Sequence, residues 1–175
     1  MLTVLLILGV VMGGLTTVLA SATNADADMN NRFQAQQATR LAMDKLRREI
    51  HCSSSATPAA TATSSITLTL PSYCKTYSGS VSVTWCTRNV STNRYALYRV
   101  NGSTCTGGVK WADFLTPTST ATVCSGALCV FNYAAQSATS LAKLHVDFPV
   151  NPKPARTVDT YELVDDLVLR NSTRS

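Results

Sequence analysis

MLTVLLILGVVMGGLTTVLASATNADADMNNRFQAQQATRLAMDKLRREIHC, residues 1–52, decides the fold. Its first twenty residues carry no charge. At about 1.5 Å per residue, such a helix crosses a bilayer core of about 30 Å. From Ser21 to Cys52 there is neither Pro nor Gly, and good helix formers dominate. Ala35, Ala38, Ala42, Leu46 and Ile50 recur at spacings of three and four, with Met43 beside them. That rhythm predicts an amphipathic helix whose narrow apolar stripe packs on another layer. Phe33 and Leu41 fall off the stripe and need a second partner. The simplest reading is one helix from the start of the chain to about residue 51. The alternative is an N-cap at Thr23-Asn24-Ala25-Asp26 that opens a separate second helix.

The apolar half presents Leu2, Leu5, Leu6, Leu8, Val11, Leu15 and Leu19. Gly9 and Gly13 form a G-x-x-x-G spacing, which lets helices approach closely in apolar surroundings. A fully apolar helix half has no partner within the chain, so it calls for a membrane or other copies of itself.

Beyond residue 52 the character changes. Residues 53–65 read as an exposed Ser/Thr/Ala linker containing Pro58. Then the periodicity becomes two. Ile66, Leu68 and Leu70 alternate with Thr67 and Thr69, Val81, Val83 and Trp85 with Ser82, Thr84 and Cys86, and Tyr95, Leu97 and Arg99 with Ala96, Tyr98 and Val100. These are half-buried antiparallel strands. Further strands are expected at 127–133, 141–150 and 160–169, with Pro149, Pro152 and Pro154 breaking the chain between the last two. The expected fold class is α+β, a long N-terminal helix packed on an antiparallel sheet of five to seven strands. The expected divisions are an apolar helix half at 1–22, an amphipathic half at 23–52, the linker at 53–65 and a disulfide-bonded β domain at 66–175.

Only 14% of residues are charged, and the net charge is +5. Most basic residues are scattered; Arg40, Lys45, Arg47 and Arg48 cluster with Asp44 and Glu49, as on a solvated helix face. Nucleic-acid binding is the competing reading of that cluster. Six Cys in a short chain with an apolar start point to disulfides and an oxidising compartment. Their spacing does not suit zinc, and no metal or other cofactor is expected. A hairpin of 81–87 with 94–100 would bring Cys74 near Cys105. A bridge between Cys124 and Cys129 would close the turn Ser-Gly-Ala-Leu. That leaves Cys52 with Cys86 to tie the helix end to the sheet. The chain carries no phosphate-binding glycine loop, G-x-S-x-G or H-E-x-x-H, so an enzyme is not expected.

The apolar run MLTVLLILGVVMGGLTTVL resembles the segment that follows Gly-Phe-Thr-Leu-x-Glu in type IV pilin-like proteins. RLAMDKLRREIHC, NRYALYRV, GVKWADFL and VLRN look like segments of disulfide-bearing pilins from Gram-positive actinobacteria. The Phe-Thr-Leu-x-Glu motif and a basic leader are not in this sequence, and the expectation is that Met1 is an internal methionine. The resemblance implies a minor pilin or pseudopilin, a structural subunit of a type IV pilus-like, type II secretion or competence filament. It implies a single-pass membrane helix before assembly and an extracellular β domain. It also implies other pilin subunits as partners, in a homo- or hetero-polymer, together with an assembly machinery. Adhesion, motility, DNA uptake and secretion stay open as roles, and a surface ligand or DNA as a partner. The alternative is a secreted or signal-anchored β-domain binding module, with Ala20-Ser21-Ala22 as an A-x-A cleavage pattern.

Overall fold

The computed structural model describes residues 2–59, 61–77 and 79–171, with the side chains of Leu2, Leu5, Leu6, Val10 and Val11 outside the description. A single helix, α1, spans Leu2–Cys52. No second helix starts near residue 24. Thr23 donates its hydroxyl back to the Ala20 carbonyl at 3.0 Å instead of serving the N–H groups ahead of it, so the cap that would open a new helix is not made. The chain forms two compact units, Met1–Gln34 and Ala35–Ser175, and α1 contributes to both.

The second unit is α+β. Its strands are β1 (Ser55–Thr57), β2 (Ala62–Thr63), β3 (Ser65–Thr69), β4 (Ser82–Ser91), β5 (Arg94–Asn101), β6 (Val109–Leu115), β7 (Val123–Cys124), β8 (Ala127–Leu128), β9 (Phe131–Ala134), β10 (Lys143–Val150) and β11 (Tyr161–Val168). Nine of them form one sheet in the order β1-β3-β4-β5-β6-β10-β9-β2, with β11 along the other side of β10. Every pairing is antiparallel. β7 and β8 form a separate hairpin, whose central Ser125 and Gly126 both take positive φ, as a two-residue primed turn requires.

Three differences from the sequence expectation have physical causes. The segment 53–65 is not simply an exposed linker. It supplies β1, which pairs with β3, and β2, which pairs with β9, and it buries Ser53 and Ala56. Backbone pairing at sheet edges needs no apolar alternation, so a Ser/Thr run conceals it. Pro149 lies inside β10 rather than breaking it. On that edge Asp147 N–H is taken by the Val130 carbonyl and Asn151 N–H by the Phe114 carbonyl. Pro149, which has no N–H, falls in the gap between the two partner strands. β6 has no clean alternation because a bulge falls within it: Leu97 pairs with Ala112 but Tyr95 with Leu115.

The sheet is covered on both faces near β4. Val83 and Trp85 are fully buried on the helix side, while Thr84 and Cys86, on the opposite face, are buried as well. The loop from Gly102 to Gly108 covers them. Thr84 donates to the Gly102 carbonyl at 2.7 Å, and Arg88 reaches the Gly107 carbonyl with its guanidinium 4.2 Å from the centre of the Tyr98 ring. The loop closes at Gly108, where φ is +83° and a Cβ would lie 2.5 Å from the Arg99 carbonyl oxygen. Only glycine fits there.

Candidate functional site

Two stretches of α1 carry the features that bear on function. Within the first unit, Val4, Ile7, Leu8, Met12, Leu15, Val18 and Leu19 are all exposed. Among the described side chains from Thr3 to Ala27 none is buried. Four hydroxyls in this stretch are satisfied by the helix itself. Thr16 donates to the Gly13 carbonyl, Thr17 to Gly14, Ser21 to Val18 and Thr23 to Ala20, all at 2.8–3.0 Å. The helix is long and apolar enough to cross a membrane. Gly9 and Gly13 have open space where a Cβ would sit, so another helix could approach closely there. Of the residues singled out from sequence, Leu8, Leu15 and Leu19 are exposed. Leu2, Leu5, Leu6 and Val11 lie in α1, but their side chains are outside the described residues. Exposed apolar groups continue beyond the uncharged stretch at Met29 and Phe33, which line an open hollow with Asp26 and Asn30.

Within the second unit, the stripe on α1 is built into the core. Ala35, Ala42, Leu46 and Ile50 are buried, and Ala38 is half-buried. Thr39 and Met43 join them, the Thr39 hydroxyl returning to the Ala35 carbonyl at 2.8 Å. Leu41 remains exposed. The stripe also contains Glu49, which is fully buried. Its carboxylate accepts from the Trp85 indole at 2.7 Å and from Arg99 Nε at 2.8 Å, and Lys45 Nζ stands 3.4 Å away. The Trp111 ring packs at 5.8 Å on Trp85. A buried carboxylate is tolerable only with partners of this kind. Around this node, Arg47 binds Asp165 at 2.7 Å, Arg40 meets the Tyr161 hydroxyl at 3.2 Å, and His51 Nδ1 donates to the Val168 carbonyl at 2.9 Å. Side chains of the basic cluster thus dock the helix on β11. The node escaped the sequence reading, although Glu49 falls three residues beyond Leu46 on the apolar stripe. A charge at that position signals a buried partner.

The disulfides correct two expected pairings. Cys52 joins Cys74 and Cys86 joins Cys105, in place of Cys74 with Cys105 and Cys52 with Cys86. Cys124 joins Cys129. Strand alternation explains the change: Trp85 faces Glu49 on the helix, so its neighbour Cys86 points to the other face and cannot reach the helix end. On that face it meets the loop carrying Cys105. The register differs too. The β4–β5 turn falls at Thr92-Asn93, setting Val83 opposite Asn101 and Cys86 opposite Tyr98. Cys74 stays with the connection after β3 and bonds the last residue of α1, with the Cα atoms 5.9 Å apart.

Elsewhere charges settle into local clusters. Arg94 forks onto Asp113 at 2.9 and 3.0 Å, and Lys110 adds a third contact at 2.8 Å. Burial pushes the Asp113 carboxyl up, but Arg94, Lys110 and the Phe114 N–H outweigh it and hold the group at about 2. Asp166 is held below the usual carboxylate range by hydrogen bonds from His145 and Lys143. Among the described residues, no group of three or more His, Cys, Asp or Glu is placed to hold a metal ion. Comparisons with protein-family models, with curated proteins and with solved structures give no match.

Proposed function

We propose that this chain is a structural subunit, a minor pilin or pseudopilin, of a membrane-assembled filament of the type IV pilus class. One observation carries the proposal: an unbroken helix whose first half is apolar, with its described side chains uncovered, and whose end is locked into a disulfide-bonded antiparallel sheet. The uncovered stretch suits a membrane before assembly and neighbouring copies or related subunits afterwards. Exchanging lipid for other helices costs little hydrophobic free energy, and close packing at Gly9 and Gly13 supplies a bias toward assembly. The disulfides suit an oxidising environment and support a β domain that faces the outside of the cell. In this reading the protein performs no catalysis.

The test compares the full chain with one starting at residue 25. The full chain is expected to float with lipid vesicles and to form higher oligomers on detergent removal. The shortened chain is expected to sediment as a soluble monomer. A shortened chain that still polymerises would overturn the role given to the helix.

A further inference from the structure

Where α1 ends, an open cleft of about 550 Å³ is lined by Lys45, Arg48, His51, Tyr73, Lys75 and Thr76 beside the Cys52–Cys74 disulfide. We infer that this cleft is a binding site for a phosphate group, in the form of a phosphate ester or a pyrophosphate. The inference does not rest on the filament reading.

The site is assembled by the fold. Lys45 and Arg48 are three apart on α1, which sets them on one helix face. Tyr73, Lys75 and Thr76 belong to the connection between β3 and β4, and the disulfide pins that connection to the last turn of the helix. Cations remote in sequence therefore converge. Among the described residues no carboxylate lines the cleft. Among the described residues no ion pair engages Arg48 or Lys75. The acids next to these cations on α1 are Asp44, which pairs with Arg47, and Glu49, which pairs with Lys45 but is also held by Arg99 and Trp85. Positive charge is thus left over at the cleft.

Hydrogen-bonding capacity is left over as well. Among the described residues the buried Thr76 hydroxyl has no partner. His51 Nδ1 already donates to the Val168 carbonyl, so the donors that face a ligand are those of Lys45, Arg48, Lys75 and Thr76. A guanidinium fork, two ammonium groups and a hydroxyl match a tetrahedral dianion with three acceptor oxygens better than a carboxylate with one charge. The exposed Tyr73 ring adds a flat apolar surface for an organic part of the ligand.

The test uses the full chain in non-ionic detergent, titrated with pyrophosphate and followed by phosphorus NMR at constant ionic strength. Saturable binding is expected, weakened at least tenfold in R48Q/K75Q and unchanged in the charge-matched control K143Q/R156Q. Arg48 and Lys75 are exposed, so both variants should keep their three disulfides and their melting temperature. Absence of binding, equal loss in both variants or no loss in R48Q/K75Q would each overturn the site. A second arm adds micelles carrying phosphatidic acid. Displacement of pyrophosphate identifies a lipid headgroup as the source of the phosphate, and retention identifies a soluble ester; both keep the site.

Discussion

Residues 2–34 and 35–52 are turns of the same helix, yet they meet their surroundings in opposite ways. The first stretch exposes all its described large apolar side chains and returns four hydroxyls, of Thr16, Thr17, Ser21 and Thr23, to its own carbonyls. The second exposes Arg40, Asp44 and Arg48 and buries Ala42, Met43, Leu46, Glu49 and Ile50. Backbone hydrogen bonding does not distinguish them. What distinguishes them is where the free energy comes from. Each buried Leu or Ile on the stripe contributes roughly 1.5–3 kcal/mol of transfer free energy within the fold. The same side chains in the first stretch contribute nothing until a membrane or another helix covers them. A continuous helix can therefore be half scaffold and half interface.

Substitutions should divide along the same line. The largest effect is expected from L8R/L15R. An arginine near the centre of a spanning helix costs about 2.5–3.5 kcal/mol, so the pair costs about 5–7 kcal/mol of membrane insertion. Vesicle flotation should be lost while the melting temperature of the second unit stays unchanged; a fall in that temperature would break the division. Next is Glu49→Ala, which strands Arg99 and the Trp85 indole and should cost about 3–5 kcal/mol in urea unfolding followed by tryptophan fluorescence. Flotation should be unaffected.

Smaller effects sharpen the account of the second unit. C52S/C74S opens a loop of sequence separation 22 and should cost about 3 kcal/mol, against about 2 kcal/mol for C124S/C129S with separation 5. Unfolding under non-reducing conditions ranks the two. The smallest is a pH effect. The Asp113 carboxyl is lowered from 3.8 to about 2 in the folded protein, so its contribution is complete well above pH 4 and is lost as pH falls through 4 toward 2. The loss should reach at most about 2 kcal/mol, and Asp113→Asn should remove that part of the acid slope.

The helix was legible in the sequence because three signals run into one another: an uncharged apolar run at its start, no breaker from Ser21 to Cys52, and a stripe of period near 3.6 from Ala35 to Ile50. The strands with clean alternation, β3 to β5, were legible for the same reason. β1, β2 and β6 were not, because edge pairing and a bulge leave no periodic trace. Disulfide pairing failed where it depended on which face a strand turns to the helix. Cys86 beside Trp85 needed that knowledge, while Cys124 and Cys129 needed only a short turn. The Glu49 node and the cationic cleft join residues far apart in sequence, so no local pattern could show them.

The central claim is that α1 is one helix with two independent sources of cover. Hydrogen exchange measures this directly, on the full chain in lipid nanodiscs and on the chain from residue 25 in water. The account predicts that amides 35–52 exchange equally slowly in both, because the sheet alone protects them. A hundredfold or greater acceleration of those amides in the shortened chain would contradict it.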